Sequence, residues 1–288
     1  MQPTRLSILG VGLLGGSIGM AVKAAGMPCH VVGYGHRKST LDRALEVGAI
    51  DESATSSKAA VRGADLIILC TPVGLFEPLL AEIAGEIPDG CIVTDVGSTK
   101  RSVVKLGEKL IPKSAHFIGS HPMAGSEKRG VEFARADLFQ GARCILTPTQ
   151  SSPGKIVEQV EAFWQKLGMT TTRMSPDEHD RLVCDISHLP HAVAAALISM
   201  QHDDALPLAG KGFLDSTRIA SGDGTLWRDI LSDNADNLAD SITRFRAQLD
   251  EVLKLLAPDK RDELAKWLEQ AAARRGKLLA EKLRELAP

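Results

Sequence analysis

The sequence predicts an α/β protein in which a doubly wound, mostly parallel sheet is followed by an all-helical second domain. Up to about residue 174, short apolar runs typical of buried strands alternate with patterns typical of helices. This alternation predicts strands joined by helical crossovers on both faces of one sheet. Beyond that point no strand pattern occurs, and apolar residues recur at helical spacing. We therefore expect two domains, residues 1–174 and residues 175–288.

A glycine-rich turn follows the first predicted strand, which runs from Arg5 to Leu9. It has the pattern G-x-G-x-x-G at Gly10, Gly12 and Gly15, and a predicted helix over residues 17–25 follows. In this pattern the first glycine permits a tight turn, the second lets the backbone approach a pyrophosphate, and the third lets helix and strand pack closely. The amino terminus of the helix then offers N–H groups to phosphates. The strand–turn–helix context predicts a Rossmann-type dinucleotide site rather than a glycine-rich turn of another α/β fold.

The end of the second predicted strand, residues 30–34, indicates which dinucleotide is bound. An NAD site usually has Asp or Glu here to hold the ribose 2′-hydroxyl, but this chain has Gly35 followed by His36, Arg37 and Lys38. Two cations would attract a 2′-phosphate, so we expect NADP to be favoured, with NAD possible. A solvated basic loop without selectivity is the alternative. The residues expected to bind the cofactor are Gly10, Gly12, Leu13, Leu14, Gly15, His36, Arg37, Lys38, Ser39, Thr71, Pro72 and Ser98.

The sheet is expected to continue with strands at residues 64–70, 91–94, 115–118, 143–147 and 170–173. The carboxyl edge of such a sheet is where ligands bind and chemistry takes place. Ser98 follows one of these strands, and a loop over residues 119–127 that contains His121 follows the next. Histidine can give or take a proton near neutral pH, so Ser98 and His121 are candidate catalytic residues that converge on one cleft. A surface histidine in a turn is the alternative for His121.

The second domain begins with a capping-box pattern, Ser175 to Glu178, with proline at the first helical position. The helix predicted over residues 176–201 contains Pro190, which removes one helical hydrogen bond, so we expect a kink. His188 and His191 lie three residues apart and share one face. They are either hydrogen-bonded histidines beside an ordinary kink or parts of a site. We predict no metal site, because no third ligand with recognisable spacing accompanies them.

Arg218 stands among small and apolar residues, so we expect its side chain to be embedded. A buried guanidinium needs an anionic partner, which is either Asp215 or Asp223 within the chain or a carboxylate on a ligand. Further on, apolar residues recur at alternating spacings of four and three, as in a helix packed along another helix. This seam is either intradomain packing or the interface of a symmetric homodimer. Its members are Leu238, Ile242, Phe245, Leu249, Val252 and Leu256.

Composition excludes several classes of partner. The 34 basic and 36 acidic residues leave a formal charge of −2 without a basic block, and aromatic residues make up only 4%, so we expect no nucleic-acid partner. The five cysteines are scattered and form no Cys-x-x-Cys pair, which fits a reducing, cytoplasmic location. We expect no signal peptide before the first strand and no apolar run of membrane-spanning length, and hence no membrane partner.

These motifs together resemble one family, the prephenate/arogenate dehydrogenases of tyrosine biosynthesis. The resemblance covers nearly the full chain and implies an NAD(P)-dependent oxidative decarboxylation. Hydride leaves ring C4 for the nicotinamide and carbon dioxide is lost, so that the ring becomes aromatic and gives 4-hydroxyphenylpyruvate from prephenate or tyrosine from arogenate. The stretches that carry the resemblance are the glycines at 10, 12 and 15, Asp95 to Lys100, Gly119 to Glu127, Ser187 to His191, and Gly212 to Arg218 followed by Trp227.

The resemblance also implies roles for the candidate residues. His121 would accept a hydrogen bond from the C4 hydroxyl of the substrate and take its proton, with Ser98 beside it and the nicotinamide. Arg218 would bind the ring carboxylate. The other residues expected in the substrate pocket are His188, His191 and, at its mouth, Glu127.

Two alternatives to this enzyme remain at the level of the sequence. A non-catalytic NADPH-binding sensor would keep the glycine loop but would not need His121 and Arg218 together. A β-hydroxyacid dehydrogenase shares the Rossmann-plus-helical plan but normally uses a catalytic lysine in the helical domain, and none is evident near His188. The residues do not distinguish prephenate from arogenate, nor do they indicate feedback by tyrosine.

Overall fold

The computed structural model describes residues 2–125 and 128–285 of the chain. These residues form two compact units, one extending to Ala235 and the other beginning at Asp236. The first unit contains the whole sheet and every candidate site residue that the structure describes. The second is helical.

The eight strands form one sheet in the order β3-β2-β1-β4-β5-β6-β7-β8. All neighbouring pairs are parallel except β6 and β7, which are antiparallel. The fold class predicted from the sequence is confirmed. The strands are β1 (Arg5–Leu9), β2 (His30–Tyr34), β3 (Glu52–Ser53), β4 (Leu66–Leu69), β5 (Ile92–Asp95), β6 (His116–Pro122), β7 (Arg143–Thr147) and β8 (Thr170–Arg173).

Ten helices of the first unit flank or follow the sheet. Short 3₁₀ turns supplement them, of which Val131–Phe133 and Arg218–Ser221 bear on the site. The helices are α1 (Leu13–Ala24), α2 (Lys38–Glu46), α3 (Ser57–Val61), α4 (Phe76–Ile83), α5 (Arg101–Leu110), α6 (Gly154–Lys166), α7 (Pro176–Val183), α8 (Leu189–Ser199), α9 (Lys211–Thr217) and α10 (Gly224–Asp233).

The sheet is buried on both faces, as a mostly parallel sheet requires. Successive side chains of a strand point to opposite faces. Accordingly, Ile68 packs in one apolar cluster with Leu6 and Trp164, while Ile67 packs in another with Val93 and Phe76. This explains why the central strands read as continuous apolar runs rather than as alternating patterns.

The structure corrects the position of His121. The sequence predicted a strand that ends at Ile118 and a loop that carries His121, but β6 continues to Pro122 and His121 lies within it. The first part of β6 pairs in parallel with β5, and the part from Gly119 onward pairs with the antiparallel strand β7. Glycine and proline in this stretch indicated a loop locally, whereas the pairing with β7 depends on residues distant in sequence.

Helices α7 and α8 are joined by a π-helical turn, Cys184–His188, so the chain remains helical from Pro176 to Ser199. A distortion was expected at Pro190, because proline has no N–H for a helical hydrogen bond. The structure has this π-helical turn just before it. By length and composition alone, this helical stretch could cross a membrane, which corrects the expectation that no apolar run is long enough. Core helices of soluble proteins pass the same test, and Asp180 lies buried within this one.

The second unit contains two long helices, α11 (Ala235–Leu255), which begins at its boundary, and α12 (Arg261–Glu285). The seam predicted from the sequence lies along α11 and its end. Several of its apolar side chains are exposed in the single chain, including Ile242, Leu249 and Leu256.

Candidate active site

A cavity of about 570 Å³ opens at the carboxyl ends of β1, β2 and β4. The glycine turn forms its floor, since Gly10 and Gly12 line it. Thr71 and Pro72, which follow β4, line it as well. The sequence placed a dinucleotide at this edge of the sheet, and four of the predicted cofactor residues named here border the cavity.

The geometry of the glycine turn fits a dinucleotide. Gly10 has φ +109, and a Cβ there would lie 2.7 Å from the carbonyl carbon of Cys70. A Cβ on Gly15 would lie 2.2 Å from the Gly10 oxygen, so helix α1 can approach the turn this closely only with glycine at position 15. At Gly12 nothing lies within 4 Å of that position, which leaves room for a pyrophosphate against the backbone and the amino terminus of α1. Leu13 and Leu14 form the first turn of that helix.

The end of β2 contributes His36 and Arg37 to the same cavity. Lys38 and Ser39 lie one step further, in the first turn of α2. Of the two predicted cations, Arg37 lines the cavity and Lys38 does not. The Lys38 ammonium lies 2.9 Å from the Asp42 carboxylate.

A buried ion pair anchors the chemistry-bearing edge of the sheet. The side chains of Asp95, the last residue of β5, and Lys100 form a salt bridge and are fully buried. The Asp95 carboxylate also accepts the backbone N–H of Gly97 at 2.8 Å and that of Ser120 at 3.0 Å. Burial raises the pKa of Asp95, while Lys100 and the two N–H groups oppose that rise. The network fixes the backbone of β6 at the residue directly before His121.

His121 is the first member of a chain of three buried polar side chains. Its Nδ1 lies 2.9 Å from Nε2 of His179, and Nδ1 of His179 lies 2.8 Å from Oδ1 of Asp180. The Asp180 carboxylate accepts the backbone N–H groups of Lys100 at 2.7 Å and Arg101 at 2.9 Å, at the amino terminus of α5. Helix α7 therefore brings His179 and Asp180 between His121 and the start of α5.

Burial, together with the nearby Lys100 ammonium, keeps His121 neutral. Its side chain is 8% exposed. Desolvation, followed by His179, Lys100 and His188, lowers its pKa well below 6.5. A neutral imidazole has one nitrogen with a lone pair, so the residue is able to accept a proton at neutral pH.

His188 lies on the π-helical turn and His191 on α8, and both side chains are buried. The amide nitrogen of Asn234 donates to the Asp180 carbonyl at 2.8 Å and lies 3.1 Å from Nδ1 of His188. His188 therefore carries its proton on Nε2, a buried atom for which no partner occurs among the described residues. Burial lowers the pKa of His188 to about 4.

The ring of His191 stacks on Trp227 with a centroid separation of 3.5 Å. Its Nδ1 is also buried without a partner in the described part of the chain. Gly222 permits the stack, because a Cβ there would lie 2.3 Å from the indole nitrogen of Trp227. Unpartnered buried polar atoms are rare in native proteins and call for a ligand or a bound water. The two histidines thus fit a polar ligand.

The remaining predicted site residues are placed less deeply. Ser98 is half-buried in the turn between β5 and α5. Arg218 begins the 3₁₀ turn Arg218–Ser221, which packs against α8, and its side chain is exposed. The prediction that Arg218 is embedded is wrong, because the small residues around it occupy short surface helices. Glu127 lies outside the residues that the structure describes.

Asp215 and Asp223, the two carboxylates considered as internal partners of Arg218, each lie in a salt bridge. Asp215 pairs with Lys211 at 2.8 Å, and Asp223 pairs with Arg129. Sequence reasoning missed His179, Asp180 and Asn234, whose contacts join segments more than forty residues apart. The His179–Asp180 dipeptide one turn into a capped helix was the only local signal.

Fold and site define a class: an NAD(P)-dependent dehydrogenase with a Rossmann-type nucleotide domain and a buried, neutral histidine at the carboxyl edge of its sheet. The comparisons with known proteins narrow that class. Residues 18–172 match the nucleotide-binding domain of prephenate dehydrogenase, and residues 175–270 match the prephenate dehydrogenase dimerization domain. The chain therefore belongs to the prephenate dehydrogenase family, and it is an NAD(P)-dependent oxidoreductase that carries out the family's oxidative decarboxylation in tyrosine biosynthesis.

Individual relatives agree. The prephenate dehydrogenase of Bacillus subtilis is 36% identical over 92% of this chain and 73% of its own length. The cyclohexadienyl dehydrogenase of Zymomonas mobilis is 32% identical over 92% of this chain and 93% of its own. Among solved structures, prephenate dehydrogenase from Aquifex aeolicus, in complex with hydroxyphenyl propionate and NAD+, superposes with a TM-score of 0.89 at 33% identity, covering 96% of this chain and 98% of that one. Synechocystis arogenate dehydrogenase gives 0.82 at 30% identity, covering 95% and 99%.

Proposed function

We propose that His121 is the base of this oxidative decarboxylation, acting on the ring hydroxyl of prephenate or arogenate. The observation that carries the proposal is the buried, neutral imidazole whose Nδ1 is engaged by His179 at 2.9 Å. Engagement of that nitrogen leaves Nε2 to accept a proton. Binding of substrate and cofactor together positions the reacting groups, which by itself removes a large part of the barrier.

The proton and electron balance fits a neutral histidine. Bound NAD(P)+ supplies the acceptor for the hydride that leaves ring C4. As that bond breaks, His121 takes the proton of the C4 hydroxyl. The electrons of the carbon–carboxylate bond then enter the ring as carbon dioxide leaves, and the phenolate oxygen takes the proton back from His121. The histidine ends the turnover in the state in which it began.

We propose that His188, His191 and Arg218 bind the acidic substrate. His188 offers a buried N–H at Nε2, and His191 offers a second unpartnered nitrogen. We assign the ring carboxylate to Arg218, whose turn packs against the helix that carries His191. Ser98 is assigned a place beside His121 and the nicotinamide, and Glu127 a place at the pocket mouth.

We propose that NADP+ is preferred over NAD+. The observation in favour is that Arg37 lines the cavity at the end of β2, where an NAD enzyme would have a carboxylate. Arg37→Ala should lower kcat/KM for NADP+ by about tenfold or more and leave that for NAD+ within about twofold. Lys38→Ala is the matched comparison, and a smaller effect is expected because Lys38 already pairs with Asp42.

One assay tests these assignments together. Prephenate and arogenate are crossed with NAD+ and NADP+, and the absorbance of the reduced cofactor is followed. Turnover of at least one substrate supports the reaction, and the ratio between substrates decides whether the chain resembles the prephenate or the arogenate enzymes more closely in activity. Faster turnover with NAD+ than with NADP+ would refute the role given to Arg37.

We also propose a division at residue 174 and a homodimer formed through the helical domain. The two family models meet near this point, and the second is a dimerization domain. Exposed apolar side chains on α11, such as Leu249 at 48% exposure, supply a surface to bury. Light scattering after gel filtration should give twice the chain mass, and Leu249→Glu should shift it toward the monomer.

A further inference from the structure

The structure points to a role for two residues behind the base. We propose that His179 and Asp180 are positioning residues, which hold His121 in the tautomer with its proton on Nδ1 and share the positive charge that forms when Nε2 accepts the substrate proton. This inference rests on the proposed function, since it concerns the state of the same base. It gives a function to the contact between His121 on strand β6 and His179 on helix α7.

The carboxylate of Asp180 is ionised. It is buried and accepts two backbone N–H groups at the amino terminus of α5, a helix of ten residues. Burial alone would raise the pKa of Asp180, but the bonds from His179 and from these N–H groups outweigh it and lower the pKa below 3.8. The amino-terminal dipole of α5 favours the same anionic form. Asp180 is therefore a carboxylate that only accepts hydrogen bonds.

The hydrogen bonds between these side chains determine where His179 and His121 carry their protons. Because Asp180 Oδ1 can only accept, Nδ1 of His179 must carry a hydrogen. Burial lowers the pKa of His179 despite the opposing effect of Asp180, so this ring is neutral and its Nε2 has a lone pair. The partner at 2.9 Å, Nδ1 of His121, must then be the donor. A neutral His121 with its proton on Nδ1 presents a lone pair at Nε2, which is the state a base requires.

The positive charge of a protonated His121 needs a nearby carboxylate to offset it. Protonation of His121 in the transition state is opposed by burial and by the nearby Lys100 ammonium. His179 is faced in turn by Lys100, Asp95 and Asp180. Of the two carboxylates, Asp95 is paired with the buried Lys100. Asp180 contacts His179 directly and also lies 3.9 Å from the partly exposed Arg101 guanidinium. The carboxylate of Asp180 is thus the group that offsets the charge which develops on the two imidazoles.

The tautomers are tested first in the wild-type protein, without any turnover. Two-dimensional ¹⁵N–¹H NMR of histidine-labelled protein at neutral pH distinguishes protonated from unprotonated ring nitrogens, and single histidine variants assign the signals. We expect both His121 and His179 to carry hydrogen on Nδ1 and not on Nε2. Hydrogen on Nε2 of His121 would overturn the inference. Correct tautomers in a protein that turned over neither substrate would fault the proposed function instead.

The charge is tested with Asp180→Asn, with Asp177→Asn as the matched control on the exposed side of the same helix. Loss of the carboxylate should lower kcat on the order of 10²-fold with cofactor affinity retained. It should also move the acid limb of the kcat/KM profile to lower pH by about one unit, because the imidazoles become weaker bases.

The control variant should match the wild type in both respects. A fall in kcat with an unmoved acid limb would assign Asp180 a packing role and overturn the proposal, as would activity equal to that of Asp177→Asn. If the Asp180 variant fails to fold, the wild-type tautomers decide the question, since the wrong tautomer alone refutes it.

Discussion

His121→Asn separates the two nitrogens of the proposed base. The side chain is 8% exposed, and its Nδ1 lies 2.9 Å from His179. The amide nitrogen of asparagine occupies nearly the position of Nδ1, so the variant keeps the bond to His179 and much of the packing. What it loses is Nε2, the atom proposed to receive the substrate proton.

A positioned base contributes about 10²- to 10⁴-fold to rate. At 1.36 kcal/mol per tenfold change, this corresponds to roughly 3–5 kcal/mol of transition-state stabilisation. We expect kcat with prephenate to fall by that factor while the dissociation constant for the cofactor stays within about twofold. The assay combines reduced-cofactor absorbance for turnover with a fluorescence titration for cofactor binding.

His116→Asn supplies the control, since it makes the same change on the same strand, five residues earlier. It should leave kcat unchanged. If His121→Asn retained kcat within about threefold of the wild type while binding substrate normally, the residue would not be the base. Equal losses in the two variants would instead indicate damage to strand β6.

Three further predictions follow from burial and backbone geometry. Because the pKa of His121 is lowered well below 6.5, kcat/KM should stay level from neutral pH down past 6.5 and fall only below it; a limb centred at or above that value contradicts a buried neutral base. The pKa of His188 is about 4 in the folded state and 6.5 in the unfolded state, so the unfolded chain binds more protons between these two pH values. The free energy of unfolding should therefore decrease as pH falls from 6.5 to 4, by up to about 3 kcal/mol from this residue. Urea titrations that show equal stability at the two pH values would refute this prediction. Gly10→Ala should weaken cofactor binding at least about tenfold and cost about 1–3 kcal/mol, because φ is +109 and the Cβ would meet Cys70, whereas Gly154→Ala, with nothing within 4 Å, should do neither.

Local chemistry made most of the sheet predictable from the sequence. Strand β1, the glycine turn and helices α5 and α6 follow from apolar runs, glycine positions and periodicity that act over a few residues. The two-residue strand β3 and the short helix α3 went unrecognised, because segments of two and five residues carry too little pattern. Strand β3 forms by pairing with β2, and helix α3 packs against β1.

The site was predictable only in part, for a physical reason. The candidate His121 stood out because it was expected in a loop at the carboxyl edge of the sheet, where a histidine can transfer a proton. Its partners His179 and Asp180, however, are brought to it by the fold. The exposure of Arg218 likewise depends on tertiary packing that small neighbours in sequence do not reveal. Hydrogen-bond partners distant in sequence cannot be recognised from local patterns, and here they are the basis of the tautomer proposed for His121.

A crystal structure with NAD+ and a phenolic analogue of the product tests the central claim most directly. The measured quantity is the distance from Nε2 of His121 to the phenolic oxygen. We predict a hydrogen bond of about 2.6–3.2 Å, with Nδ1 still bonded to His179. An analogue bound in the pocket with its phenolic oxygen beyond hydrogen-bond reach of His121, held by another side chain, would contradict it.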